Sequence, residues 1–204
     1  LTVNSICQLG HGIDGGTINI SGGNMIMSNA AGDRTGTYSL LMDDNYASIL
    51  NITAGTLSIQ NGSEFEFSSG SQAVVTVSGT GLIEFMNGSK FDMGSGAQGV
   101  TISDTGLIKY VGRDATSEVQ TLARAGQLTG VLIESPPLYT PTGTANGVGW
   151  YYDGSDTYVF TATGPDIEIG EDRIIWLADA MAGIPMDGQI LNFDPGETYT
   201  YVWS

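Results

Sequence analysis

Between Ala47 and Gly96 the chain copies itself. A shift of 26 positions carries Gly55 onto Gly81, Leu57 onto Ile83, Ile59 onto Phe85, Asn61-Gly62-Ser63 onto Asn87-Gly88-Ser89, Phe65 onto Phe91, Phe67 onto Met93 and Gly70 onto Gly96. A repeat built from short alternating strands and Gly/Asn/Ser corners cannot bury its apolar side chains alone and must stack on its neighbours. The expected fold is therefore all-β: a parallel β-helix of three-strand coils of about 25 residues each, closed by one helix and one hairpin.

The coil from Ile49 divides into strands at 49–52, 57–59 and 65–67, and the next into 75–77, 82–85 and 91–93. Alternation within them sends one set of side chains inward and the other outward. A third coil runs through Val100, Ile102, Leu107, Ile108 and Tyr110 without a third strand. Upstream, 16–20 and 25–27 read as an earlier, looser coil. Residues 29–46, with a short strand at 38–42, break the period and read as a bulging insertion, and Val3, Ile6 and Leu9 form a cluster suited to covering the open end of a stack.

After the third coil, Asp114 or Thr116 caps a helix of about three turns, with Val119, Leu122 and Ala123 on its apolar face and Gly126 as the residue after its end. A strand over 128–133 and a hairpin of 148–152 with 157–162, turning at Asp153-Gly154-Ser155-Asp156, follow. The Gly-rich run 140–149 reads as a loop between them.

Composition narrows the partners. Six basic residues against 22 acidic ones leave a net charge of −16, a field that repels phosphate backbones and anionic membrane surfaces. Cys7 is the only cysteine, so neither an intrachain disulfide nor a Cys-based zinc site can be built. No stretch approaches the roughly 20 apolar residues that span a bilayer. A start at Leu1 without a signal sequence fits a processed, exported protein or a fragment of one.

From Gly79 to Thr163 the Thr-Gly-Leu-Ile coils, the Ala125-Gly126-Gln127-Leu128-Thr129-Gly130 helix end and the closing Thr-Tyr-Val-Phe hairpin resemble the β-helical repeat regions of large exported bacterial surface proteins. Those proteins often end in PEP-CTERM-type sorting signals, and no such signal stands in this sequence. The resemblance implies an extracellular or cell-surface location. It sets residues 1–163 apart as one β-solenoid domain.

Gly164-Pro165 reads as a hinge to a segment, 164–204, without the solenoid period. Its pattern, Gly164-Pro165-Asp166, Ile174-Ile175-Trp176-Leu177, Met186-Asp187-Gly188 and Thr198 to Trp203, resembles the first half of a PKD-type immunoglobulin-like module. Such sandwiches take roughly 100 residues, and half of one leaves an apolar face and unpaired edges. Either chain beyond this stretch supplies the rest, as the continuation of a large surface protein, or a neighbouring copy does so by strand addition. The joining residues are then Ile167, Ile169, Ile174, Trp176, Leu177, Tyr199, Tyr201 and Trp203, with 1–9 or an end of the stack as acceptor.

No catalytic residue is assigned. His11, the only histidine, has no serine or cysteine placed beside it by any motif. Polysaccharide lyases share the β-helix, but their clustered acids and basic catalyst have no counterpart in Lys90, Lys109, Arg34, Arg113, Arg124 and Arg173, which are scattered over different elements. Calcium is the one cofactor left open: Asp43 with Asp44, and Asp153 with Asp156, could begin its six to eight oxygens, though as turn residues they need no metal.

The corners Asn61-Gly62-Ser63 and Asn87-Gly88-Ser89 are formal glycosylation sequons that read better as a stacked asparagine ladder. The columns Asn51, Thr76, Thr101 and Thr53, Ser78, Ser103 make a polar outer stripe. Trp150, Tyr151, Tyr152 and Tyr158 suit either an interface or a polysaccharide surface. The function expected is that of an extracellular structural subunit of a filament or surface layer. The alternatives are a carbohydrate-binding, adhesive module and a polysaccharide-acting enzyme.

Overall fold

The structure is a computed structural model. It describes residues 16–28, 48–67, 72–95, 99–131 and 137–162 in full, together with the backbone of five short strands: 2–3, 7–9, 38–42, 167–169 and 188–190.

The chain is mostly β, with one short helix among the described residues. Its principal sheet is built on three 12-residue strands: β3 (Thr17–Ser28), β5 (Ile49–Gln60) and β7 (Val74–Phe85). They pair in parallel, and β1 (Thr2–Val3) pairs with β3 at one edge. Gly55 lies opposite Gly81, Leu57 opposite Ile83 and Ile59 opposite Phe85, so the 26-residue repeat is the strand register beyond the corner, while before it Leu50 lies opposite Val75 and Ile52 opposite Val77, 25 apart. Beyond β7 the same ladders continue on two shorter strands, β9 (Val100–Ile102) and β10 (Leu107–Tyr110), and β11 (Leu128–Gly130) pairs in parallel with β9.

A second sheet, wholly parallel, runs β2 (Cys7–Leu9), β4 (Tyr38–Met42), β6 (Glu64–Phe67), β8 (Lys90–Met93). One expectation is corrected here: the strand at 38–42 is a rung of this sheet, paired with β6 through one register shift between Tyr38 and Leu40. Residues 2–3 and 7–9 pair as the edge strands of the two sheets. Segment 29–37 and residues 43–47 lie outside the described residues.

The division of each coil into three strands also changes. Segments 49–52 and 57–59 fuse into β5, and 75–77 and 82–85 into β7. The corner survives as a register shift between Ile52 and Ala54 and as positive φ at Gly55 (85°) and Gly79 (52°). Backbone hydrogen bonding persists through that bend because the residue after it has no side chain to hold the strands apart. A Cβ on Gly81 would fall 2.2 Å from the Ile52 carbonyl oxygen, and one on Gly106 2.3 Å from that of Val77.

The other corners are tight turns. Ser63 N–H reaches the Gln60 carbonyl at 3.3 Å and Ser89 N–H that of Met86 at 3.2 Å, with φ of 60° and 71° at Asn61-Gly62 and of 54° and 80° at Asn87-Gly88. Two successive positive φ values suit Asn-Gly above other pairs.

Inward residues form columns: Met27, Ile59, Phe85, Tyr110; Ile20, Ile52, Val77, Ile102; Leu50, Val75, Val100, Leu128. All are buried. Phe91 joins the two sheets, its ring 5.5 Å from Phe65 and 4.6 Å from Phe85 between centroids, the latter edge to face.

Where a further rung of the second sheet would follow β8, the chain forms α1 (Thr116–Arg124). The N-cap is Ala115 rather than Asp114 or Thr116, and Asp114, just before it, accepts from the Thr116 N–H at 2.9 Å and from its hydroxyl at 2.7 Å, satisfying a free donor of the first turn. At the other end Gly126 (φ 73°) donates to Ala123 and Gln127 to Leu122, a Schellman closure. Val119 and Ala123 are fully buried. Arg113 Nη2 to the Ser89 carbonyl and Gln127 Nε2 to that of Gly94, both 3.2 Å, anchor the helix region at the two ends of β8.

The principal sheet ends in antiparallel strands: β14 (Thr157–Thr161) on β10, then β13 (Val148–Tyr152), then β12 (Gly143–Ala145). The sheet is therefore mixed rather than parallel throughout. The run expected as a loop contains β12, which hydrogen-bonds to β13 across the Asn146-Gly147 turn (φ 48° and 78°). Separately, β15 (Ile167–Ile169) pairs antiparallel with β16 (Gly188–Ile190) as a two-stranded sheet.

Candidate functional site

The densest polar cluster among the described residues surrounds the β13–β14 turn. Residues facing outward on β10, β14 and β13 line up as Lys109, Tyr158 and Tyr151. Asp153 closes the turn, its Oδ1 accepting from the N–H groups of Ser155 and Asp156 at 2.8 Å each. Its other oxygen accepts from the Tyr158 hydroxyl at 3.1 Å. Asp156 accepts from the Gly112 N–H at 2.7 Å and pairs with Lys109 Nζ at 2.8 Å.

These contacts set the titration of the cluster. The backbone N–H groups of Asp156 and Ser155 hold the Asp153 carboxyl below its ordinary value of 3.8. The Lys109 hydrogen bond, then the Gly112 N–H, does the same for Asp156. Lys109 is pushed up, chiefly by its hydrogen bond to Asp156. Each carboxylate oxygen thus has a protein donor, so the arrangement fastens the hairpin to β10 and to the turn after it. A calcium ion at Asp153 and Asp156 would share the carboxylate oxygens with those donors.

Among the described residues no group of three or more His, Cys, Asp or Glu side chains is gathered as a metal site. Asp43 and Asp44 lie outside the described residues, as does His11. No local sequence pattern links Lys109 and Gly112 to this turn, since they sit 47 and 44 residues from Asp156.

Trp150 faces inward. It is 5 % exposed, and its indole lies against Gly143, where a Cβ would meet Cζ2 at 2.4 Å. It is thus unsuited to stacking on a sugar. Tyr139 covers the outward face instead, its ring 4.6 Å from Tyr158, 5.7 Å from Tyr151 and 5.5 Å from Phe160. These rings stack chiefly on one another.

Lys90, Lys109 and Arg113 are committed to ion pairs: Lys90 to Glu64 at 3.3 Å, Lys109 to Asp156, and Arg113 to Glu118 at 2.8 Å. Arg113 also lies over the Tyr110 ring at 4.7 Å. The Tyr110 hydroxyl is fully buried and lacks a partner of good geometry; burial pushes it well above its ordinary value, and the nearby Glu118 charge adds to the effect.

The asparagine ladder is present. Asn87 Nδ2 donates to Asn61 Oδ1 at 3.3 Å, and Asn61 Nδ2 to the Ser28 hydroxyl at 2.6 Å. Ser63 and Ser89, the sequon hydroxyl residues, are fully buried, so the folded corners offer poor glycosylation sites. The column Asn51, Thr76, Thr101 is also present, and it extends to Asn19 at one end and Thr129 at the other.

Of the expected joining residues, Ile167 and Ile169 lie in β15. Ile174, Trp176, Leu177, Tyr199, Tyr201 and Trp203 lie outside the described residues. No described helix is long and apolar enough to cross a membrane. No family model, no curated protein and no solved structure matches the chain.

Proposed function

We propose that the chain is a structural subunit of an extracellular filament or cell-surface assembly, a parallel β-helix whose C-terminal strands complete a sheet with a neighbouring copy. The repeat register and two parallel ladders support the β-helix, and α1 with the β12–β14 hairpin serves as its end cap. The observation that carries the joining step is the β15–β16 sheet: two three-residue strands hydrogen-bonded to each other and, among the described residues, to neither other sheet. A two-stranded sheet is marginal in water, and a third strand from another molecule would stabilise it. Strands β1 and β2, at the sheet ends opposite the cap, are the acceptor edges.

The test is electron microscopy and sedimentation of the full chain and of an I167P/I169P variant, which removes two backbone donors from β15. End-to-end filaments of the wild type and monomers of the variant are expected. Wild-type chains that remain monomeric while folded through residue 190 would refute the reading.

A further inference from the structure

The face left unexplained by that joining is the outward side of the first half of the principal sheet. It is made by five parallel rungs, β3, β5, β7, β9 and β11. Alternation against the buried columns puts Thr17, Asn19, Ile49, Asn51, Val74, Thr76, Thr101 and Thr129 outward. Thr53, Ser78 and Ser103 follow at the corner.

Not one of these residues is charged, in a chain of net charge −16. The acids with described side chains lie elsewhere: Glu64, Glu66 and Asp92 on the second sheet, Glu84 on the other half of this one, Asp114 and Glu118 around the helix, Asp153 and Asp156 in the hairpin turn. Asp104 stands at the margin, in the turn after Ser103. Val74 (42 % exposed) on this face and Val131 (55 %) at its rim are two of the three exposed large hydrophobic residues among those described.

The polar side chains bond along the stack. Asn51 Nδ2 donates to Asn19 Oδ1 at 2.9 Å, and the hydroxyls of Thr101 and Thr129 lie 3.1 Å apart. A surface whose polar groups partner one another loses less when water is removed than one whose groups depend on solvent.

We propose that this face pairs with the same face of a second copy of the chain. Self-repulsion makes a charged face a poor place for two such acidic molecules to meet, and among the described residues this one carries no charge. The pairing is isologous, about a two-fold axis, with sheets about 10 Å apart. Five rungs by three outward positions measure about 19 by 14 Å, and with side-chain margins on the order of 500 Å² per copy. That is below the ~800 Å² per partner of a standard interface, so isolated copies pair weakly, and copies arrayed along a filament pair strongly through multivalency. The pairing is lateral and does not depend on the end-to-end joining through β15.

The test compares the full-length wild type with V74E and T76E/T101E, using sedimentation up to about 1 mM and negative-stain microscopy. Val74 is exposed, so V74E folds, and circular dichroism checks the double variant. Wild-type chains are expected to pair, as dimers or as laterally bundled filaments, and each variant to weaken pairing at least tenfold while leaving end-to-end growth intact. Dimers without filaments would refute the joining step and leave the pairing standing. Wild-type chains that never pair laterally, or a folded V74E that pairs as well as the wild type, would overturn the inference.

Discussion

Gly81→Ala tests the bend in β7 on which its register with β5 depends. The added Cβ would lie 2.2 Å from the Ile52 carbonyl oxygen, 2.8 Å from its carbon and 3.0 Å from Ile52 Cγ2. Reaching even 3.0 Å from the oxygen requires a shift of 0.8 Å (3.0 − 2.2), and the obstacle is backbone, which has no rotamer to yield. A shift of that size stretches ladder bonds beside the corner from about 2.9 Å to beyond ~3.5 Å. Losing about two such bonds costs ~1 kcal/mol each, and the overpacking adds ~1–3 kcal/mol. Alanine returns ~0.4–1 kcal/mol by restricting the unfolded chain. The net destabilisation is ~2–4.6 kcal/mol, or a fall in Tm of roughly 5–15 °C for a chain of this size. Gly22→Ala is the control, because nothing lies within 4 Å of its Cβ position. Urea unfolding of both variants, with thermal melts, measures the difference. A Gly81→Ala chain within about 0.5 kcal/mol of the wild type would show that β5 and β7 are not in the close contact described.

Phe91→Ala removes the ring that joins the two sheets and should cost ~3–5 kcal/mol in urea unfolding. Gly126→Ala places a Cβ at φ 73° after α1 and should cost ~1–2 kcal/mol in the same assay. The Lys109–Asp156 pair predicts a pH window. Asp156 is depressed from 3.8, so its contribution is present above that value and is lost as pH falls through the lower folded value; Lys109 is raised from 10.5, so its contribution is present below that value and is lost as pH rises through the higher folded one. Asp156→Asn should therefore destabilise by about 0.5–1 kcal/mol between those limits, discounted for water around a surface pair, and the gap from wild type should close toward pH 2. A gap independent of pH across melts from pH 2 to 7 would refute this account.

What could be read before the fold was known was local or periodic. The 26-residue shift specified which residues lie opposite each other in β5 and β7 beyond the corner and in β6 and β8, because a stacked repeat has only one register that keeps every apolar residue inside; before the corner the partners stand 25 apart, as Leu50 and Val75 do. The Asn-Gly corners and the Gly126 helix end were equally legible, since each depends on a φ value that few residue types tolerate. The strand at 38–42 could not be placed, because its flanks break the period while its pairing depends on β6, 26 residues and one long strand away.

The inward turn of Trp150 depends on Gly143 lying opposite it, and the fastening of Asp153 and Asp156 on Tyr158, Lys109 and Gly112. The sequence showed candidates for stacking and for calcium, and tertiary contacts assigned those groups to internal partners. The uncharged five-rung face is likewise tertiary, since Asn19 and Thr129 stand 110 residues apart and only the stacking of β3 through β11 sets them in one row. By itself the sequence determined the repeat, its corners and its all-β character, which arise from short-range conformational preference and pattern. Tertiary structure decided which side chains remain available to a partner, because availability depends on what the rest of the chain covers.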